Sequence, residues 1–266
     1  MLRTLLAIWT WIELGLLSML GFLVVGSMFL LVWPFDGNRR ITGRGIRCVA
    51  IAIVKLTPLW KFKIHGELPA RRPSRTVCVS NHCSHTDPFL ICHLPWEMKW
   101  LAKRSLFSIP FVGWGMWLAG DIAVTRGSSK SAKEAMARCA RYVESGMPVI
   151  IFPEGTRSRE DQLLPFKDGA FRLAISARAE LLPLAVAGTA SALRKGDWRA
   201  SSSRGLVKVG TPISTEGMTE ADVPRLKELA RAKILALRRE LDEELARERA
   251  LKARALDDER HEEPAA

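Results

Sequence analysis

Disulfide scaffolds, zinc fingers and internal repeats are all missing from this chain. Its 266 residues include five cysteines, an odd number with no framework spacing. Free thiols and a reducing compartment follow. Acids are in short supply: 28 Asp and Glu face 40 Lys and Arg, a formal net charge of +12. Such an excess suits nucleic acid or an anionic membrane surface. No zinc-finger or aromatic RNA-binding pattern accompanies it. Its place beside an apolar segment favours lipid and argues against nucleic acid.

Charge is absent altogether from Leu14 to Phe35, 22 consecutive positions. As a helix, that run can span a hydrocarbon core of about 30 Å. Trp9 and Trp11 stand at one end and Trp33 at the other, as in an interfacial belt. A cleaved signal peptide fits poorly, because the run is long and closes on Trp33-Pro34-Phe35 instead of a small-x-small site. Ten Lys and Arg lie between Asp36 and Arg75 against only Asp36 and Glu67, a local net of +8. The positive-inside rule then puts the following domain in the cytoplasm, at a bacterial-type inner membrane. Ile46 to Trp60 is apolar but broken by Arg47, Lys55 and Pro58. It reads as an interfacial helix whose cations meet anionic headgroups.

From Lys61 onward, strand and helix patterns alternate. Strands are expected at Lys61–His65 (an edge strand), Thr76–Ser80, Lys99–Leu101, Ile122–Val124, Val149–Phe152, Leu184–Ala187 and Leu206–Val209. Helices are expected from Pro88, over Phe107–Ala119, over Ser131–Glu144 and over Asp168–Ala179. This alternation predicts an α/β fold, a mixed sheet flanked by helices. From Met218 to about Leu256, Leu226, Ala230, Ile234, Leu237, Leu241 and Leu245 recur at steps of three and four. They form the packing stripe of an amphipathic helix. Three regions result: a membrane anchor with its interfacial segment (1–60), the α/β domain (61–215), and a charged C-terminal helix with its tail (216–266).

Two stretches carry chemistry. In Asn81-His82-Cys83-Ser84-His85-Thr86-Asp87-Pro88, Asp87 has the character of an N-cap and Pro88 of a first helical residue. On a regular helix a spacing of five is about 500°, roughly 140° off one face. His82 and Asp87 therefore meet only if the loop turns between them. If they meet, the carboxylate fixes the imidazole tautomer, and the other ring nitrogen can take a proton from an alcohol. An Asp before Pro is also an ordinary helix cap. The His and Cys residues clustered here match no common zinc spacing, so no metal is implied. In Phe152-Pro153-Glu154-Gly155-Thr156-Arg157-Ser158, a buried strand runs into Gly, Thr and Arg. Backbone N–H, hydroxyl and guanidinium together suit a phosphate monoester, although a polar turn with a solvated Arg would read the same way. His82, Arg126 and Glu154 to Arg157 all follow predicted strands, where α/β folds gather ligands.

Together the two stretches resemble the glycerolipid acyltransferases, which include the 1-acylglycerol-3-phosphate acyltransferases. That family's His-x-x-x-x-Asp and Phe-Pro-Glu-Gly-Thr-Arg-Ser blocks are intact here and in order. Between them, Gly120 to Arg126 is similar to a third block, with Ala123 and Val124 where the family has Phe and Ile. Leu182-Pro183-Leu184-Ala185 is similar to a fourth. The resemblance runs from about Lys61 to Ile213. It implies a membrane-bound O-acyltransferase that takes a fatty acyl thioester, on coenzyme A or acyl carrier protein, to a lyso-phospholipid acceptor, 1-acyl-glycerol-3-phosphate. It implies no cofactor. His82 would be the general base and Asp87 its orienting partner. Arg126, Gly155, Thr156, Arg157 and, more weakly, Lys103 would hold the phosphate, and Glu154 would orient those donors. Loop N–H groups near Asn81 are the expected oxyanion donors. Another lyso-lipid acceptor such as a lyso-ornithine lipid, a lipid hydrolase, and a non-catalytic lipid-binding module are the alternatives.

Overall fold

The computed structural model describes residues 2–158, 162–193 and 197–262. Two long helices come first, α1 (Leu2–Val32) and α2 (Arg40–Leu56). They form a hairpin that packs closely because glycines sit at the contact. A Cβ on Gly21 would lie 2.4 Å from Val49 Cγ1, so any larger residue would force the helices apart. Asp36 caps the second helix, accepting from Ile41 N, Thr42 N and Thr42 Oγ1. That helix starts six residues before the expected Ile46 and ends two residues short of Pro58, which cannot continue the backbone hydrogen bonding.

The sheet has seven strands in the order β1-β7-β6-β2-β5-β3-β4. They are β1 (Trp60–Ile64), β2 (Thr76–Ser80), β3 (Lys99–Lys103), β4 (Ile122–Val124), β5 (Val149–Ile151), β6 (Glu180–Ala187) and β7 (Ser203–Val209). Strands β6, β2, β5, β3 and β4 pair in parallel, while β7 pairs antiparallel to β6 and parallel to β1. The sheet is mixed, with β1 at its edge as its polar–apolar alternation predicts. Helices α3 (Asp87–Ile91), α4 (Val112–Leu118), α5 (Ser129–Glu144), α6 (Gly169–Ser176) and α7 (Val223–Glu262) connect or cover it. All six residues of the C-terminal stripe are buried in the core of one sheet face, with Leu226, Ala230, Ile234 and Leu241 fully so. The expected single helix over 107–119 is instead a 3₁₀ turn (Arg104–Ser108) followed by α4. Pro110 between them has no N–H to carry a helix through.

The basic segment does not behave as a lipid-facing patch throughout. Arg47 is buried, with Nη2 on Asp121 Oδ1 at 2.5 Å and on Glu97 Oε1 at 3.3 Å. Lys99, fully buried at the start of β3, donates from Nζ to Glu97 Oε1, Arg39 O and Ala119 O. Arg39, Arg40 and Arg44 donate to the carbonyls of Leu118, Gly146 and Leu94. These cations fasten the hairpin to the sheet instead of facing headgroups. Two cations and two carboxylates thus share one dry cluster. Breaking such a cluster from one side leaves uncompensated charge, which costs about 3–5 kcal/mol. Arg47→Ala should lower unfolding free energy by that amount, read as a shifted denaturant midpoint at unchanged m-value in detergent. A change below about 1 kcal/mol would show that the hairpin is held by apolar packing alone.

Candidate active site

The turn after β2 is built around one carboxylate. Asp87 is fully buried, and its Oδ2 accepts from His82 Nδ1 at 2.8 Å, Cys83 N at 2.8 Å and Ser84 N at 2.9 Å. Its Oδ1 accepts from Thr189 Oγ1. Thr86, not Asp87, is the N-cap of α3, and Asp87 is the first helical residue. Its side chain reaches back into the loop, so the chain reverses between His82 and Asp87 and brings the pair together. With Nδ1 bound to the carboxylate, Nε2 is left to take up or deliver a proton.

A second set of bonds joins this loop to the Phe152–Ser158 stretch. The His82 ring stacks on Phe152 with centroids 4.1 Å apart and planes 20° apart. Glu154 Oε1 accepts from His82 N at 2.9 Å, and its Oε2 accepts from Leu164 N at 2.9 Å. Ser158 N donates to His82 O at 2.8 Å. Burial raises the Glu154 carboxyl above its usual range, while the hydrogen bonds from Leu164 and His82 pull it down. Glu154 is therefore no wall of the cavity. It orients both motifs, and the reason is that backbone donors occupy its oxygens. The loop N–H groups expected as oxyanion donors are also occupied: His82 N by Glu154, Cys83 N and Ser84 N by Asp87. Asn81 is fixed as well, its amide exchanging two hydrogen bonds of 2.9 Å with the backbone of Val186 on β6.

A cavity of about 1060 Å³ opens beside this loop. At one end stand His82, Lys103, Arg126, Gly155, Thr156 and Arg157. Each follows or closes a strand: β2, β3, β4 or β5. The cationic residues predicted from sequence thus share one cleft with the imidazole. Gly155 has φ +69°, a conformation that favours glycine, and a Cβ there would lie 2.8 Å from Lys167 Nζ. Most of the remaining wall is apolar, with Phe22, Val49, Ile53, Trp60, Phe89 and Trp100 from the hairpin, β1, α3 and β3, and with the paired Arg47 and Asp121 beside Trp100.

Three contributors escaped the sequence reading. Lys167 lines the cationic end, yet it lies beyond the Ser158 that closes the recognised block. His85 also lines it, and partial desolvation beside Arg157 pushes its imidazole below the usual histidine range. Thr189, fully buried after β6, secures Asp87, and its carbonyl accepts from Thr86 Oγ1. Its only sequence signal is a Gly-Thr pair just past the fourth block.

A family model described as Acyltransferase matches residues 61–187. The 1-acyl-sn-glycerol-3-phosphate acyltransferase of Haemophilus influenzae is 31% identical over 198 residues, 73% of this chain and 81% of that one. The chain belongs to the acyltransferase family. A relative of the same name from Chlamydomonas reinhardtii is 34% identical over 68% of this chain and 54% of its own length. Against that relative and the plant relatives from Brassica napus and Arabidopsis thaliana, this acyltransferase spans about half the length: 54%, 50% and 48%. The crystal structure of the 1-acyl-sn-glycerophosphate acyltransferase PlsC from Thermotoga maritima shares the fold. Its TM-score is 0.71 at 20% identity, covering 88% of this chain and 97% of that one. Thr189 is a positioning residue in this site, so Thr189→Val should lower kcat for acyl transfer about tenfold or more. The circular dichroism spectrum should stay unchanged, and Thr189→Ser should keep most activity. Equal activity in all three proteins would show that Asp87 is held without it.

Proposed function

We propose that the protein is an O-acyltransferase moving a fatty acyl group from an acyl thioester to the free hydroxyl of 1-acyl-glycerol-3-phosphate. The product is phosphatidic acid. One observation carries the reading: His82, held by Asp87, faces a cavity that gathers Lys103, Arg126, Arg157 and Lys167 and is otherwise lined mostly by apolar side chains. An amphiphile with an anionic head fits both kinds of wall. The relatives from Haemophilus influenzae and Chlamydomonas reinhardtii are 1-acyl-sn-glycerol-3-phosphate acyltransferases, which supports this acceptor.

In the reaction, His82 Nε2 takes the proton of the acceptor hydroxyl as its oxygen attacks the thioester carbonyl. Asp87 keeps Nδ1–H in place and stabilises the imidazolium. The tetrahedral intermediate collapses, the C–S bond breaks, and His82 returns the proton to the thiolate. The donor thiol belongs to coenzyme A or acyl carrier protein. Arg126, Thr156, Arg157 and Lys103 hold the phosphate, and Gly155 permits close approach. Cys83 Sγ lies 3.2 Å from Thr189 Oγ1 and 3.6 Å from the Asp87 carboxylate. An anionic neighbour does not favour a thiolate nucleophile there, which supports direct transfer.

α1 contains the one stretch among the described residues long and apolar enough to cross a membrane, Thr4–Val32. Leu16, Leu20, Leu23 and Leu30 on its outer side are exposed. The helix is tied to the rest of the chain at Trp11, within its first third, and just beyond its C-terminal end. Trp11 Nε1 donates to Trp198 O, while beyond the other end Asn38 and Arg40 reach Ser145 and Gly146. These ties support a placement of α1 in one leaflet, with its outer face in lipid, and we place that leaflet on the cytoplasmic side of an inner membrane. Free cysteines and the basic segment after α1 support that side.

The test is thioester release in detergent, with acyl-coenzyme A and acyl carrier protein donors and lyso-lipids with and without phosphate. His82→Ala should lower kcat about 10²–10⁴-fold with the fold retained; a mutant that still turns over removes the base. Arg157→Ala should raise KM for the phosphorylated acceptor about tenfold or more. An unchanged KM removes the phosphate role.

A further inference from the structure

A second cavity of about 350 Å³ lies at the opposite end of the sheet from His82. Thr76 and Glu180, the paired first residues of β2 and β6, form part of its wall. His82 is six residues further along the same strand direction, about 20 Å away at 3.3 Å per residue. A ligand here is out of reach of the reacting atoms, so the cavity is separate from the transfer site.

Its chemistry is cationic. Arg71, Arg72, Arg75 and Arg178 line it, and Glu180 is the only carboxylate among the lining residues. Arg75 is oriented by Nε, which donates to Ala177 O at 2.9 Å. Arg71, Arg72 and Arg178 make no side-chain hydrogen bond or ion pair among the described residues. The four arginines are exposed to solvent around the cavity, and their planar forks match phosphate oxygens. Pro69 and Pro73 stiffen the wall that carries them, which lowers the ordering cost of binding.

Arg178 adds a separate observation. It follows α6 and its C-cap Ala177, and its N–H donates to Ile175 O while Ala179 N donates to Ala174 O. Helices usually place glycine at this position, because the backbone turns left-handed there. Here φ is +47° and the residue is arginine. The chain thus keeps a guanidinium at the cavity in a backbone conformation that disfavours any side chain.

We propose that this cavity is a second anion site, binding a phosphate group remote from the transfer cleft and acting as a regulatory or tethering site. The phosphate comes from a soluble phosphorylated anion or from the headgroup of an anionic lipid.

Pyrophosphate is the soluble probe, applied by calorimetry to the full chain in detergent. Arg157→Ala is the background, to weaken binding in the cleft. One pyrophosphate should bind, and adding Arg178→Gly should weaken it about tenfold or more. The same substitution should raise the unfolding temperature without ligand, because glycine accepts φ +47°. Loss of binding therefore cannot come from misfolding, and a lowered unfolding temperature would overturn the assignment. Arg72→Ala should weaken binding similarly. For the lipid source, unfolding is compared in phosphatidylglycerol and phosphatidylcholine mixed micelles. A phosphatidylglycerol-specific rise that Arg178→Gly removes, without pyrophosphate binding, identifies a headgroup. If neither probe distinguishes the arginine from glycine, the cavity is an ordinary solvated basic surface and the proposal falls.

Discussion

A buried carboxylate must be matched by donors, and Asp87 is matched by four nitrogen and oxygen donors, an imidazole, two backbone N–H groups and a hydroxyl, besides the weaker Cys83 thiol. Three come from the loop after β2 and one from the segment after β6. Most of the site's geometry follows from that requirement. Meeting it folds the loop back on the helix start and aims His82. It also draws Thr189 across from the neighbouring strand. Glu154 applies the same logic to the β5 side, taking one N–H from His82 in the first motif and one from Leu164, beyond the second. Two buried carboxylates thus hold His82 and the Phe152–Ser158 turn in one frame. Neither side chain depends on a long flexible cation, so the frame loses little entropy on assembly. Such rigidity is what transfer between two bound substrates requires.

The hairpin solves a different problem. Apolar surface favours lipid, whereas His82 sits at a polar strand end. Helices α1 and α2 lend apolar side chains to the cavity and an exposed apolar face to its surroundings. Fastening them to the sheet takes polar contacts, because apolar contacts alone compete poorly with lipid. The Arg47, Glu97, Lys99 and Asp121 cluster supplies these contacts. Asp121 also accepts from Trp100 N on β3. The Gly120–Arg126 block therefore carries an anchor for the hairpin at its start and a cleft cation at its end.

Legibility in the sequence followed the range of the interaction. Strand cores, the mixed α/β pattern and the buried stripe of α7 are periodic, local signals, and all appear in the structure. The two motifs were also visible, because each sits at the end of a strand. What escaped was pairing across long separations. Glu154 meets His82 over 72 positions, Thr189 meets Asp87 over 102 and Arg47 meets Asp121 over 74. No spacing rule reports such pairs. Asp87 offers two uses in the sequence, helix cap and partner of His82; Thr86 takes the cap position and the loop turns Asp87 to the histidine. Arg47 was counted as surface charge, since a cation in an apolar helix gives no sign of partners waiting on a sheet.

The placement of charge also separates the two ends of the sheet. At the strand C-terminal ends, cations stand beside an imidazole and a largely apolar cavity. At the opposite end, arginines gather with no imidazole among the lining residues. An anion at the first end would lie beside a group that can take up a proton, and an anion at the second would not. The difference lies in what adjoins the cations, not in the cations themselves. Net charge alone never distinguishes such sites, because +12 is consistent with either. Topology does, since it puts His82 at one end of β2 and the arginine cluster at the other.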